Sequence, residues 1–427
     1  MLFSFKALPQ NFWEKINSPT NKLLNSILFI DSLNGWVSGD SGIIIHTSNG
    51  GMDWETQYSN DSLNVINIFF LDNQRGWASA LSQFYEPYGT YMLKTTNGGI
   101  DWTSEFTRLG EAFVNSFYFL DSLNGFAVGY PRVFHRTTDG GSNWLPVNLD
   151  SSLYSGLPPY AIRFYSSLYG YACGGVRDVR GVVWRTMDGG LNWSTVVDTL
   201  TLEPLYDLHM FDSLNIIAMG GDPEFGTSQI DTDDGGNTWD YTALGIFYYP
   251  YSIGFRTNTE GWVPMGEQRF FLYTSDSGVN WTIVDTPDSL NVVRITFPDS
   301  LHGYGIGPYG TIVKYKHQGP SDVNGAEEIF SNFYLQQNHP NPFNPSTTIK
   351  YSIPVEGFVK LAVYNILGEE VATLVNTTQK AGEYEVIFSA VAGSTSDGNA
   401  IQLSSGVYIY RLEAAKFVAS KKLILLK

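Results

Sequence analysis

FIDSLNGW (Phe29–Trp36), followed by TSNGGMDW (Thr47–Trp54), decides how this chain folds, because both phrases recur along it. The first returns as FLDNQRGW from Phe70, FLDSLNGF from Phe119, FYSSLYGY from Phe164, FDSLNIIA from Phe211, FRTNTEGW from Phe255 and FPDSLHGY from Phe297. The opening Phe residues lie 41, 49, 45, 47, 44 and 42 apart, a period that suits a four-stranded propeller blade and exceeds that of leucine-rich or ankyrin units. The second returns as TTNGGIDW, TTDGGSNW, TMDGGLNW, TDDGGNTW and TSDSGVNW, ending at Trp102, Trp144, Trp193, Trp239 and Trp281.

Within the first unit the pattern predicts strands over Ile27–Asp31, Trp36–Gly39, Ile43–Thr47 and Trp54–Tyr58. Alternation is short, β-branched and aromatic residues dominate, and no helical period competes. In the second phrase, Asn or Asp at the third place can bond its own backbone two residues on, Gly supplies positive φ, and Trp packs beneath the hairpin. The pairs Asn49 and Trp54, Asn97 and Trp102, Asp139 and Trp144, Asp188 and Trp193, Asp234 and Trp239, Asp276 and Trp281 are therefore expected to be structural.

The seventh unit runs from Gly310 into His317 without this turn or a fourth strand. Trp13-Glu-Lys-Ile16 matches the fourth strand of unit six and precedes the first opening phrase as that strand precedes the seventh. Residues 12–17 are therefore expected to complete the last blade, closing the ring and removing free edges. The expected architecture is all-β: a seven-bladed β-propeller over residues 1–318, a linker over 319–332, and a small immunoglobulin-like β-sandwich over 333–427.

Composition agrees with this reading. The 427 residues include 43 Gly and 15% aromatics, and net charge is −17. Residues 1–328 carry 17 Lys and Arg against 35 Asp and Glu, so the acidity lies in the ring and disfavours nucleic acid as a partner. No apolar run approaches the ~20 residues of a transmembrane segment. One cysteine, Cys173, excludes an intrachain disulfide.

The T-x-D/N-x-G-x-x-W phrases resemble the Asp-box of sialidase-type (BNR) repeats. Together with the F-x-D-x-x-x-G-W openers, they are similar to the photosystem II assembly-factor propellers, whose ring is a protein-binding scaffold. The last hundred residues resemble the type A C-terminal sorting domain of the bacterial type IX secretion system. The matching blocks are the passage from Gln337 through the NPFNP motif, VKLAVYNILGEEV from Val359, AGEYEV from Ala381, LSSGVYIYRL from Leu403, and the terminal KKLILLK. The segment 390–402 looks like a loop insertion. The resemblance implies handling by the type IX machinery, with export to the medium or the outer-membrane surface. Such a client carries a Sec signal, and Met1 to Asn11 has no such pattern, so a start upstream of Met1 is expected.

The near-identical turns of the two phrases share one face of a blade, so a binding site is expected on the opposite, variable face. Its candidates are Tyr85, Tyr88, Tyr130, Arg132, Arg177, Arg180, Phe225, Tyr249, Tyr251 and Arg269, aromatics and cations suited to an unidentified surface protein or glycan. No catalytic residue, metal or cofactor is expected, because the six His form no metal-spaced pair and Asp231-Thr-Asp-Asp-Gly lacks the later Glu of a calcium loop. The alternative is an extracellular glycoside hydrolase, sialidase- or xyloglucanase-like, pairing Asp222 with Glu224 or Glu267.

Overall fold

The computed structural model describes residues 12–82, 86–107, 109, 112–316, 334–335, 338, 340–353, 357–365, 368–380, 382–390, 403–414 and 417–426. Tyr85, the expected linker and nearly all of the 390–402 insertion lie outside the described residues. Two compact units result, Met1–His317 and Gln318–Lys427. Among the described residues the only helical element is the short 3₁₀ turn Pro287–Ser289, and no helix is long and apolar enough to cross a membrane.

The first unit is a propeller whose described strands form seven sheets, six of them four-stranded and antiparallel and one, the fourth, carrying a fifth strand, Asn148–Leu149, parallel to Asn192–Val197. The first blade comprises Leu24–Phe29, Gly35–Gly39, Ile44–Thr47 and Glu55–Tyr58, close to the expected bounds. The seventh comprises Arg294–Thr296, Tyr304–Ile306 and Ile312–Tyr315, with Trp13–Ile16 as its fourth strand. Trp13 pairs with Tyr315 and Ile16 with Ile312.

The opening phrase encodes a ring packed on a glycine. Phe29 lies directly across the ladder from Gly35, and a Cβ on that glycine would sit 2.5 Å from the Phe29 ring. The same collision recurs at Gly76 with Phe70, Gly125 with Phe119, Gly170 with Phe164, Gly261 with Phe255 and Gly303 with Phe297. The fifth unit is the exception, and here the alignment on Phe211 is one residue out of register. Met210 occupies the ring position and pairs with Ile216, so without a ring to shelter, the glycine is replaced by a branched side chain.

The residue after that glycine joins each blade to the next. Trp36 stacks on Phe70 at 3.7 Å, Trp77 on Phe119 at 3.9 Å, and Tyr304 of the last blade on Phe29 of the first at 3.8 Å. Their polar ends donate onward to Asp-box carbonyls: Trp77 Nε1 to Gly140 O, Tyr171 Oη to Gly235 O and Tyr304 Oη to Gly50 O. The contact between Tyr304 and Gly50 thus joins blade seven to blade one with the bond used between other neighbours. From the other side, the box tryptophan meets the opening Phe edge-on, as Trp54 does Phe29 and Trp193 does Phe164.

The Asp-box turn differs from expectation in its bond span. Asn49 Oδ1 accepts from the Asp53 amide four residues on, while Thr47 Oγ1 accepts from the amides of Asn49 and Gly51. Asp139, Asp188, Asp234 and Asp276 repeat the four-residue reach. The two residues following the third place are in the left-handed region (Gly50 φ 68°, Gly51 φ 78°), which lengthens the loop the side chain must bridge. The fourth box residue then donates to the preceding turn, as Gly50 N does to Leu33 O, so both repeated turns share one face.

The second unit is a β-sandwich. One sheet holds Tyr334–Leu335, Ser346–Ile353 and Gly382–Ser389; the other holds Glu370–Gln379, Gly357–Tyr364, Gly406–Ala414 and Phe417–Leu425. Ile349, Tyr351, Leu361, Val363, Tyr410 and Leu412 lie fully buried between them. Phe343 of the NPFNP motif is buried against Phe388 and exchanges backbone bonds with Ile424 and Leu426.

Candidate site at the channel mouth

The innermost strands surround an axial channel of about 300 Å³. In five successive blades the ladder of the first strand skips one residue, always the fourth before the ring position: Asn25, Ile66, Asn115, Tyr160 and Tyr206. Such a bulge re-aims a side chain. In blade six the same place holds Tyr251. Three consecutive blades therefore put a tyrosine at one level.

Those tyrosines form a connected group. Tyr160 stacks on Tyr206 at 5.6 Å, Tyr206 meets Tyr251 edge-on at 5.2 Å, and Tyr249 stacks on Tyr251 at 5.3 Å, with Tyr248 against Tyr249 at 5.7 Å. Burial raises the hydroxyl of Tyr251 to about 12, helped by Tyr249, and burial with neighbouring tyrosines raises Tyr206 further. Tyr160 and Tyr248 are raised as well, so these four hydroxyls remain neutral at physiological pH and offer ring faces and hydrogen bonds rather than charge.

Deeper in the channel lie Arg163, Asp207, His209 and Arg294. Arg163 pairs with Asp207 at 2.9 Å, and Asp207 also accepts from the amides of Leu208 and Ile253. Arg294 donates to the Tyr251 carbonyl and is lowered by burial. Burial, then Arg163, lowers His209 to about 4 and leaves it neutral. Two arginines against one aspartate give the channel a positive interior within an acidic ring.

Beside the tyrosines is a knot of acids around Arg177. Its Nε is 2.8 Å from Asp222 Oδ2 and 3.8 Å from Asp178 Oδ2, and its Nη2 is 3.0 Å from Glu224. Asp222 is fully buried, and its Oδ1 accepts from the Glu224 and Phe225 amides. Burial opposes ionisation of Asp222, but these amides and Arg177 outweigh it and lower the carboxyl. Glu203 is 4% exposed, no amide, hydroxyl or cationic donor reaches its oxygens, and its carboxyl lies against that of Asp222. Burial, then the Asp222 carboxylate, pushes it to about 7.

The structure brings Arg177, Tyr249 and Tyr251 together among the sequence candidates, and Phe225 stands exposed on the Asp222 hairpin. Tyr130 is exposed and acts electrostatically on Tyr160. Arg180 instead lies over the Tyr154 ring at 5.6 Å. Tyr88, Arg132 and Arg269 are exposed, and no described contact joins them to the cluster. Of the acids, Asp222 and Glu224 share Arg177, while the Glu267 amide faces the Tyr248 hydroxyl. Sequence reading missed Tyr160, Tyr206 and Glu203. The two tyrosines were detectable as the fourth residue before the ring position; Glu203 has no repeat counterpart that would mark it.

The family model described as photosynthesis system II assembly factor YCF48 matches residues 60–203, and that of the secretion system C-terminal sorting domain matches residues 338–426. The propeller is accordingly similar to YCF48, and the tail is similar to C-terminal sorting domains. No curated protein matches the chain. Among solved structures, YCF48 bound to D1 peptide is 21% identical over 74% of this chain and 100% of its own, with TM-score 0.59. YCF48 from Cyanidioschyzon merolae is 19% identical over 72% and 99%, with TM-score 0.57. The GH74 enzyme of Niastella koreensis is 11% identical over 96% and 74%, with TM-score 0.54. At these identities the likeness is one of fold.

Proposed function

We propose that this is a secreted or cell-surface propeller that binds a protein or glycan partner without catalysis, delivered by the type IX secretion system through its C-terminal sorting domain. The observation that carries the binding reading is the level of Tyr160, Tyr206 and Tyr251 at the channel mouth, extended outward by Tyr249. Neutral, amphipathic rings gathered at a concave mouth suit an extended peptide or a sugar chain, since both present apolar faces and hydrogen-bonding edges. The structure of YCF48 with a D1 peptide supports a protein ligand for a propeller of this kind.

A glycoside hydrolase is the second reading, favoured by the GH74 neighbours and by a raised carboxyl, Glu203, beside an ionised one, Asp222. Against it, Glu203 and Asp222 are both buried, and Arg177 covers Asp222. Incubating the full chain with peptide and polysaccharide arrays, recording both retained ligand and released reducing ends, separates the two. Retention lost in Tyr249→Ala and Tyr206→Ala, without release, supports binding. Sugar release abolished by Glu203→Gln or Asp222→Asn would replace it with hydrolysis.

A further inference from the structure

We infer that Asp178, Glu203 and Asp222 form a binding site for a calcium-sized divalent cation, with Arg177 as the group that the ion displaces. Three loops converge there: the second-to-third hairpin of blade four, the connection from blade four to blade five, and the second-to-third hairpin of blade five. One carboxylate oxygen from each lies within 4.8 Å of the others. Oxygens bound at about 2.4 Å from one centre are at most ~4.8 Å apart, which fits the 2.3–2.6 Å bonds of calcium. Magnesium demands near-ideal octahedral geometry and sheds its water reluctantly, which three carboxylates on separate loops serve less well than they serve calcium. An all-carboxylate donor set also selects a hard cation over zinc or copper.

The observation that separates this cluster from an ordinary acidic patch is Glu203. It is 96% buried, no backbone amide, hydroxyl or cationic donor reaches either carboxylate oxygen, and the polar group it meets is another acid, the fully buried Asp222 carboxyl. Buried ionised carboxylates are costly unless paired. Arg177 supplies one positive charge against three acids, and its short contacts go to Asp222 and Glu224 rather than Glu203. A cation bound among the three serves Glu203 and completes the neutralisation. Arg177 has an alternative position, because Glu224 is 63% exposed and already holds Nη2 at 3.0 Å. Moving onto Glu224 frees Asp222 Oδ2 while keeping an ion pair.

The test uses the full chain, stripped with chelator and titrated with calcium chloride or magnesium chloride by calorimetry, with melting followed in parallel by tryptophan fluorescence. The expected result is one calcium per chain, bound at least tenfold more tightly than magnesium and raising the melting temperature. Glu203→Gln and Asp222→Asn, which keep shape and remove charge, should each weaken calcium at least tenfold. Arg177→Ala leaves all three carboxylates and should tighten it. No binding at millimolar calcium, or binding unchanged in Glu203→Gln, overturns the site. Should the amide variants fail to fold, an unaltered affinity in Arg177→Ala overturns it instead. The outcome is independent of whether the tyrosine mouth binds a partner.

Discussion

Replacing Trp13 by alanine should unfold the ring more readily than any comparable change on a surface strand. Trp13 is 3% exposed and sits among Trp262, Phe271, Phe297 and Tyr315, stacking on Phe271 at 5.1 Å and meeting Tyr315 edge-on at 5.4 Å. Truncating a buried aromatic costs about 3–5 kcal/mol, and Trp13 belongs at the upper end because its neighbours are large rings held by three other strands and cannot collapse into the space. With a urea m-value near ~3 kcal/mol/M, the denaturation midpoint falls by about 1 M or more. All eleven tryptophans lie between Trp13 and Trp281, so intrinsic fluorescence of the full chain follows the propeller alone. Lys15→Ala on the same strand is exposed and should stay within about 0.5 kcal/mol of the parent. If Trp13→Ala costs no more than Lys15→Ala, the N-terminal strand does not close the ring in solution, and the argument from the split seventh unit is wrong.

Gly35→Ala or Gly76→Ala puts a methyl within 2.6 Å of a packed ring and should cost about 1–3 kcal/mol by the same fluorescence assay, whereas Ile216→Ala in the exceptional blade should behave as an ordinary core truncation. The third-place aspartates predict acid sensitivity. Asp139, ordinarily near 3.8, is held to about 2 by Asn143, backbone amides and Thr137, and Asp234 likewise by the Thr238 amide and hydroxyl. A depressed carboxyl stabilises the fold above its unfolded value and loses that contribution as pH falls through the folded one. Hydrogen exchange between pH 3.8 and 2 should therefore loosen these two turns, and Asp139→Asn, which copies Asn49 and Asn97, should remove the response at its own turn. Deleting residues 338–427 should retain the propeller inside cells of a type IX-secreting host, as measured by fractionation; undiminished export would refute the sorting role.

What the sequence made legible was whatever each blade needs for itself. A ring over a glycine, a Thr-anchored turn and a tryptophan under it recur because each blade solves the same packing problem, and repetition exposes the solution. The fifth blade shows where that reading slips. Phe211 imitates the opening Phe, but Asp212 caps its turn at the place of Asp31, which makes Met210 the ring position. Counting back from the capping acid rather than from the aromatic gives the right register. The site was harder to see because it belongs to no single blade. Tyr160 and Tyr206 look like ordinary strand aromatics until the bulges set them beside Tyr251, and Asp178, Glu203 and Asp222 come from three separate loops. A propeller uses its repeated residues for stability and its convergent, unrepeated ones for function, so a binding surface here is best sought where blades four, five and six differ from the repeat. By that criterion the ligand should contact those three blades first. Tyr249→Ala should weaken retention, whereas an exchange at the corresponding loop of blade one, such as Asn60→Ala, should leave it unchanged.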